Sequence, residues 1–138
     1  MSKQLSVSIL NKHSEIQKIR EEFESFANKN QMANDVRRNT QIALDEIISN
    51  TIEYGYEKYS GDKIKVNFLI DQTNLVIEII DNAKTYNVLE RNDPDISKSI
   101  EEKPIGGLGV HLVKSLMNEV KYDCINGKNH LTLIKQLN

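Results

Sequence analysis

Ile64, Val66, Phe68 and Ile70 alternate with Lys65, Asn67 and Leu69, and after Asp71-Gln72-Thr73-Asn74 an apolar stretch resumes from Leu75 to Ile80. Period-two alternation turns one face of a strand to a core and the other to water, so two such runs around a polar turn predict a β-hairpin. A hairpin in the middle of the chain commits the fold to a sheet, and the remaining elements must supply its neighbours and its cover.

The flanking sequence supplies both. Leu5, Val7 and Ile9 alternate with Ser6 and Ser8 as a first strand. Ser14 precedes a helical run through Ile16, Ile19, Phe23 and Phe26, which ends near Asn28-Lys29-Asn30. Asn34 or Asp35 is placed to cap a longer helix from about Val36 to Tyr56, with Leu44, Ile47, Ile48, Thr51 and Ile52 on one arc. Leu108 to Val120 returns to helical spacing. Val120, Tyr122 and Cys124, then Leu131, Leu133 and Leu137, flank Asn126-Gly127-Lys128-Asn129 as a closing hairpin. The order β-α-α-β-β-loop-α-β-β predicts an α+β fold: a two-layer α/β sandwich with a mixed, mostly antiparallel sheet on one side and helices on the other.

Composition narrows the class. The 138 residues are 38% hydrophobic and 28% charged, with a net charge of −2 and one cysteine. That suits one domain over 1–138 with an unstapled core. No apolar run reaches the roughly 20 residues of a membrane span, and no signal-peptide pattern opens the chain, so no membrane partner and a cytoplasmic location are expected. The charge balance is not that of a dedicated nucleic-acid binder, so an anionic ligand must be held locally.

Three features carry chemistry. Glu46 and Asn50 lie four residues apart on the long helix and form a polar stripe with Asn39. Such a pair suits a general base and a Mg²⁺ ligand, or simply a solvated helix face. Asp81 ends an apolar strand, where it can accept a hydrogen bond from a ligand amino group or open an Asx-turn. Gly106, Gly107 and Gly109 directly precede a helical pattern, which lets backbone approach a phosphate at a helix N-terminus, or makes a hinge. Between Asp81 and the glycines the apolar periodicity stops for about 25 residues that hold both prolines, a length that a compact domain rarely keeps without function.

In this order and spacing, the stretch from Leu44 onward resembles the Bergerat-fold (histidine-kinase-like) ATP-binding domains, specifically the RsbW-type anti-sigma-factor serine/threonine kinases of bacterial partner-switching systems. Residues 43–56 (ALDEIISNTIEYGY) look like the family's N box, Asp81-Asn82-Ala83 its adenine-reading box, and Gly106-Gly107-Leu108-Gly109 its second glycine box. The resemblance implies ATP and Mg²⁺ as cofactors, with Glu46 as catalytic base and Asn50 as metal ligand. It implies further nucleotide contacts from Asp81, Ala83, Gly106, Gly107, Leu108, Gly109, Val110 and, in the last strand, His130 or Thr132. Residues of about 82–105 would form an ATP lid. Implied partners are an anti-anti-sigma STAS-domain protein that receives the phosphoryl group, a sigma factor and a second copy of the chain. Three positions depart from the pattern: Ala83 replaces a glycine, Tyr54 a basic residue and His130 a threonine. The first predicts altered nucleotide packing, and Ala83 with Tyr54 motivates an alternative, a nucleotide-gated binding module without phosphoryl transfer.

Overall fold

A computed structural model describes residues 3–84 and 107–137, of which 107–110 are described by their backbone. The strands are β1 (Gln4–Leu10), β2 (Lys63–Asp71), β3 (Asn74–Asp81), β4 (Glu119–Ile125) and β5 (Lys128–Gln136). They form one sheet in the order β1-β2-β3-β5-β4. All four pairings are antiparallel, so the parallel component of the expected mixed sheet is not seen among the described residues. The helices are α1 (Ile16–Lys29), α2 (Asn34–Asn50) and α3 (Gly107–Leu116). The two-layer α+β sandwich is therefore the observed architecture.

Local chemistry explains the boundaries. A single 3₁₀ turn, His13–Glu15, leads into α1, and Glu15 Oε1 accepts the Leu10 N–H at 3.1 Å. Ala33 occupies the N-cap position of α2 without a side-chain cap, while Asp35 Oδ1 accepts the Val36 N–H. At its other end α2 widens into a π-helical turn, Thr51–Gly55, in which Thr51 Oγ1 donates to Ile47 O at 2.9 Å. A widened turn of this kind recurs at functional sites, and here it begins one residue after Asn50. The helix expected to reach Val120 stops at Leu116, and Val120 joins β4.

The core lies between the sheet and the helices. Val7 and Ile9, Ile64, Val66 and Phe68, Leu75, Ile77 and Ile79, then Leu131 and Leu133 are the buried apolar strand residues, alternating as the sequence pattern requires. Helix α1 meets them with Ile16, Ile19, Phe23 and Phe26, and α2 with Ala43, Leu44, Ile47 and Ile48. Phe68 anchors the contact: its ring centroid lies 5.3 Å from that of Phe23 and 6.0 Å from that of Phe26. On the opposite face a polar ladder crosses the strands, with Ser6 Oγ donating to Asn67 Oδ1 at 2.7 Å and Asn67 Nδ2 to Glu78 Oε1 at 3.4 Å.

Phe68 touches both α1 aromatics, and its removal leaves a cavity that the sheet backbone cannot close. Phe68→Ala is expected to cost about 3–5 kcal/mol of unfolding free energy. Urea denaturation measures it, and a loss under about 1 kcal/mol would contradict the anchoring role.

Candidate functional site

Strand parity buries Leu75, Ile77, Ile79 and then Asp81, so the last inward position of β3 is a carboxylate, only 6% exposed. Its Oδ1 accepts the Ala83 N–H at 3.0 Å and Asn129 Nδ2 at 2.9 Å. No cation pairs with it, and Oδ2 has no hydrogen-bond partner, among the described residues. The Asx-turn and the ligand reading are thus both open to one side chain, through different oxygens. Burial pushes the Asp81 carboxyl above its ordinary value, opposed by the Asn129 and Ala83 hydrogen bonds and by nearby His130. An accepting oxygen in a poorly solvated place is suited to an N–H donor of a ligand, such as an exocyclic amine.

Asn129 was not among the residues expected at the site. It is buried, its Oδ1 accepts from Tyr122 Oη at 2.6 Å, and its Nδ2 also reaches Ala83 O at 3.2 Å and Lys84 O at 3.4 Å. The signal was Asn126-Gly127. Both residues have positive φ, +53° and +78°, as a two-residue type I′ turn demands, so Lys128 and Asn129 belong to β5 and not to the loop. The register then sets Asn129 opposite Asp81 on the helix-covered face. His130 and Thr132 pair with Ile80 and Glu78 on the other face, so the structure does not bring them to the Asp81 side. His130 instead sits 3.4 Å from Glu78, at 19% side-chain exposure.

Ala83 answers the packing question raised by its methyl group. It is 7% exposed, and a Cβ built on Gly55 would stand 2.8 Å from the Ala83 Cβ. Lys84 N also donates to Gly55 O at 2.9 Å. The methyl group is therefore packed against the end of the π-helical turn, in space that Gly55 leaves open. Tyr56, just beyond, has its hydroxyl beside the Asn82 backbone N–H without closing a hydrogen bond, and burial together with the Asp81 charge pushes its phenol up to about 12.

Glu46 and Asn50 share the same face of α2, both half-buried. Glu46 makes no side-chain hydrogen bond among the described residues. Asn50 Nδ2 is buried without a partner, and Oδ1 makes no hydrogen bond, among the described residues. One hard oxygen from protein fits Mg²⁺, which keeps several waters and takes its other oxygens from phosphates. Among the described residues no group of three His, Cys, Asp or Glu converges on a metal position. Tyr54, one turn beyond Asn50, is exposed. Gly107, Leu108, Gly109 and Val110 form the backbone of the first turn of α3, which packs on α2. Gly106 and the expected lid beyond Lys84 lie outside the described residues. No described helix is long and apolar enough to cross a membrane.

Residues 10–135 match the histidine kinase-like ATPase domain family. The serine-protein kinase RsbW of Listeria monocytogenes serovar 1/2a is 29% identical over 85 residues, 59% of this chain and 54% of that one. The serine-protein kinase RsbW of Bacillus cereus (strain AH187) is 30% identical over 107 residues, 75% of this chain and 66% of that one. The chain thus spans about half to two-thirds of the length of these curated relatives. A crystal structure of the RsbU and RsbW domains of a Mycobacterium tuberculosis protein superposes with a TM-score of 0.71 at 16% identity, over 99% of this chain and 32% of that one. The Acinetobacter baumannii histidine kinase AdeS gives 0.53, also at 16% identity, over 97% and 68%.

Two expectations follow from this geometry. Gly55→Ala gains a few tenths to about 1 kcal/mol from a stiffer unfolded chain, but the contact with Ala83 costs about 1–3 kcal/mol, so net destabilisation is expected. Adding Ala83→Gly should restore stability, and a denaturation double-mutant cycle without coupling between the two sites would contradict the packing. Asp81→Asn keeps an oxygen for Ala83 and Asn129 but removes the cost of burying charge. Because the folded carboxyl titrates above its ordinary 3.8, that cost is absent below this value and complete above the raised one. The variant should therefore melt higher than wild type at pH 7, with the advantage shrinking as pH falls towards 3.8. An advantage that grows on acidification would reverse the sign.

Proposed function

This chain belongs to the histidine kinase-like ATPase domain family, and on that premise we propose that it is an ATP- and Mg²⁺-dependent serine/threonine protein kinase that doubles as an anti-sigma factor. Its substrate in this reading is a serine of an anti-anti-sigma STAS-domain protein, its silenced target a sigma factor, and its assembly a cytoplasmic homodimer. The observation that carries the nucleotide assignment is the buried Asp81, one oxygen held by protein donors and the other left open. The relatives named serine-protein kinase RsbW support the choice of acceptor.

Within one ATPase domain over 1–138, each residue takes a separate task. Asp81 Oδ2 accepts the 6-amino group of adenine, with Ala83 beside it. Asn50 Oδ1 would hold Mg²⁺, which when bound neutralises charge on the phosphate oxygens. Gly106, Gly107, Leu108, Gly109 and Val110 offer backbone N–H groups at the start of α3, where the helix end favours negative charge. Residues of about 82–105 close over the nucleotide as a lid. Glu46 accepts the proton of the serine hydroxyl as its oxygen bonds to the γ-phosphorus and the bond from that phosphorus to ADP breaks. The second reading, a nucleotide-gated binding module without transfer, draws on Tyr54, which leaves the turn beyond Asn50 without a cation.

Transfer from labelled ATP to a cognate STAS-domain protein separates the two. Glu46→Ala should lower the transfer rate by about 10²–10⁴-fold while Mg·ATP affinity is retained. Asn50→Ala should abolish the Mg²⁺-dependent part of ATP affinity in calorimetry. Undiminished labelling by Glu46→Ala would remove it as base, and tight ATP binding with no labelling by wild type would favour the binding module.

A further inference from the structure

The amide of Asn129 has three acceptors on one side: Asp81 Oδ1 at 2.9 Å, Ala83 O at 3.2 Å and Lys84 O at 3.4 Å. Only an NH₂ group satisfies acceptors alone, so the amide has one acceptable orientation. Its oxygen then points at the Tyr122 hydroxyl, 2.6 Å away, which must donate. Tyr122 thus locks Asn129, and Asn129 with the Ala83 N–H locks Asp81 Oδ1.

The type of holder matters as much as its place. An arginine or lysine at this position would claim the carboxylate by charge, an arginine often through both oxygens. A neutral, single N–H donor fixes the group and spares Oδ2. The carboxylate cannot turn to offer a different oxygen without breaking bonds to both Ala83 and Asn129. What remains is one acceptor in a fixed direction, which meets an exocyclic amino group, is left unpaired by a purine lacking that group, and opposes a 6-carbonyl.

We propose that Asn129, oriented by Tyr122, is a positioning residue that sets the preference of the site for a purine carrying a 6-amino group. The inference rests on the nucleotide reading above and concerns how strongly the base is discriminated. Neither residue touches the nucleotide in this scheme; both act through Asp81.

The test compares ATP with purine riboside 5′-triphosphate, which lacks the 6-amino group, by competition binding to wild type, Tyr122→Phe and Asn129→Leu. The same proteins, free of nucleotide, are titrated by carboxyl ¹³C NMR at Asp81. Tyr56 and His130, the titratable groups coupled electrostatically to Asp81 among the described residues, are followed in the same experiment so that their protonation is not read as its own. Wild type should prefer ATP by about tenfold or more. In Asn129→Leu the preference should fall to roughly twofold while affinity for purine riboside triphosphate stays within about twofold of wild type. The Asp81 midpoint should rise, since a hydrogen bond to the ionised form is lost. Tyr122→Phe, which removes one oxygen and guards against a folding defect, should shift both readouts in the same direction by less. A purely structural role would weaken both nucleotides alike and leave their ratio in place. ATP binding with an unchanged ratio and midpoint in both variants overturns the proposal and spares the nucleotide reading. No ATP binding by wild type overturns the nucleotide reading and the base preference with it, while a raised midpoint would still support the hold of Asn129 on Asp81.

Discussion

Each side chain of this sheet is assigned to one of two environments by strand parity, and the site depends on that assignment. Helices cover one face, so alternate residues of β3 enter the core while their neighbours face outward. The register carries the division from strand to strand: Asp81 and Asn129 share the covered face, whereas Ile80 and His130 share the other. A slip of one residue in β5 would exchange Asn129 for His130 and place an imidazole against the buried carboxylate. The Asn126-Gly127 turn prevents this, because its two positive φ values fix both the loop length and the pairing of Ile125 with Lys128.

A buried carboxylate with no paired cation among the described residues carries a desolvation cost. Two N–H groups offset part of that cost through one oxygen, and burial still holds the Asp81 carboxyl above its ordinary value. On α2 the Asn50 amide nitrogen is buried with no partner among the described residues. Asp81 is the last residue of β3, and Asn50 is the last of α2 before the helix widens into the π-helical turn.

Much of this was legible from the chain. The two hairpins, the strand-helix order and the core positions follow from period and turn chemistry, and so does the placement of Asp81 at the end of a buried strand. What was not legible depended on single-residue counting. Reading Asn126-Gly127-Lys128-Asn129 as a four-residue loop concealed Asn129, although Asn-Gly alone is the stronger two-residue signal. His130 was expected at the site from the family resemblance and Thr132 from sharing its strand face, whereas the register sets both on the face opposite Asp81. The π-helical turn at Thr51–Gly55 has no period of its own in so short a stretch and could not be separated from the helix before it.

Ala83 shows why a departure from a family pattern has to be judged in three dimensions. A methyl group where the family resemblance leads one to expect glycine is harmful only if the space it enters is needed by something else. Here that space belongs to Gly55, which has no Cβ to contest it, and the buried methyl fills a gap at the root of the turn after β3. The constraint therefore applies to the combined volume of the two positions and not to either residue alone. Ala83 then leaves the nucleotide reading of Asp81 standing, because the group that could have obstructed the base is turned into the protein interior.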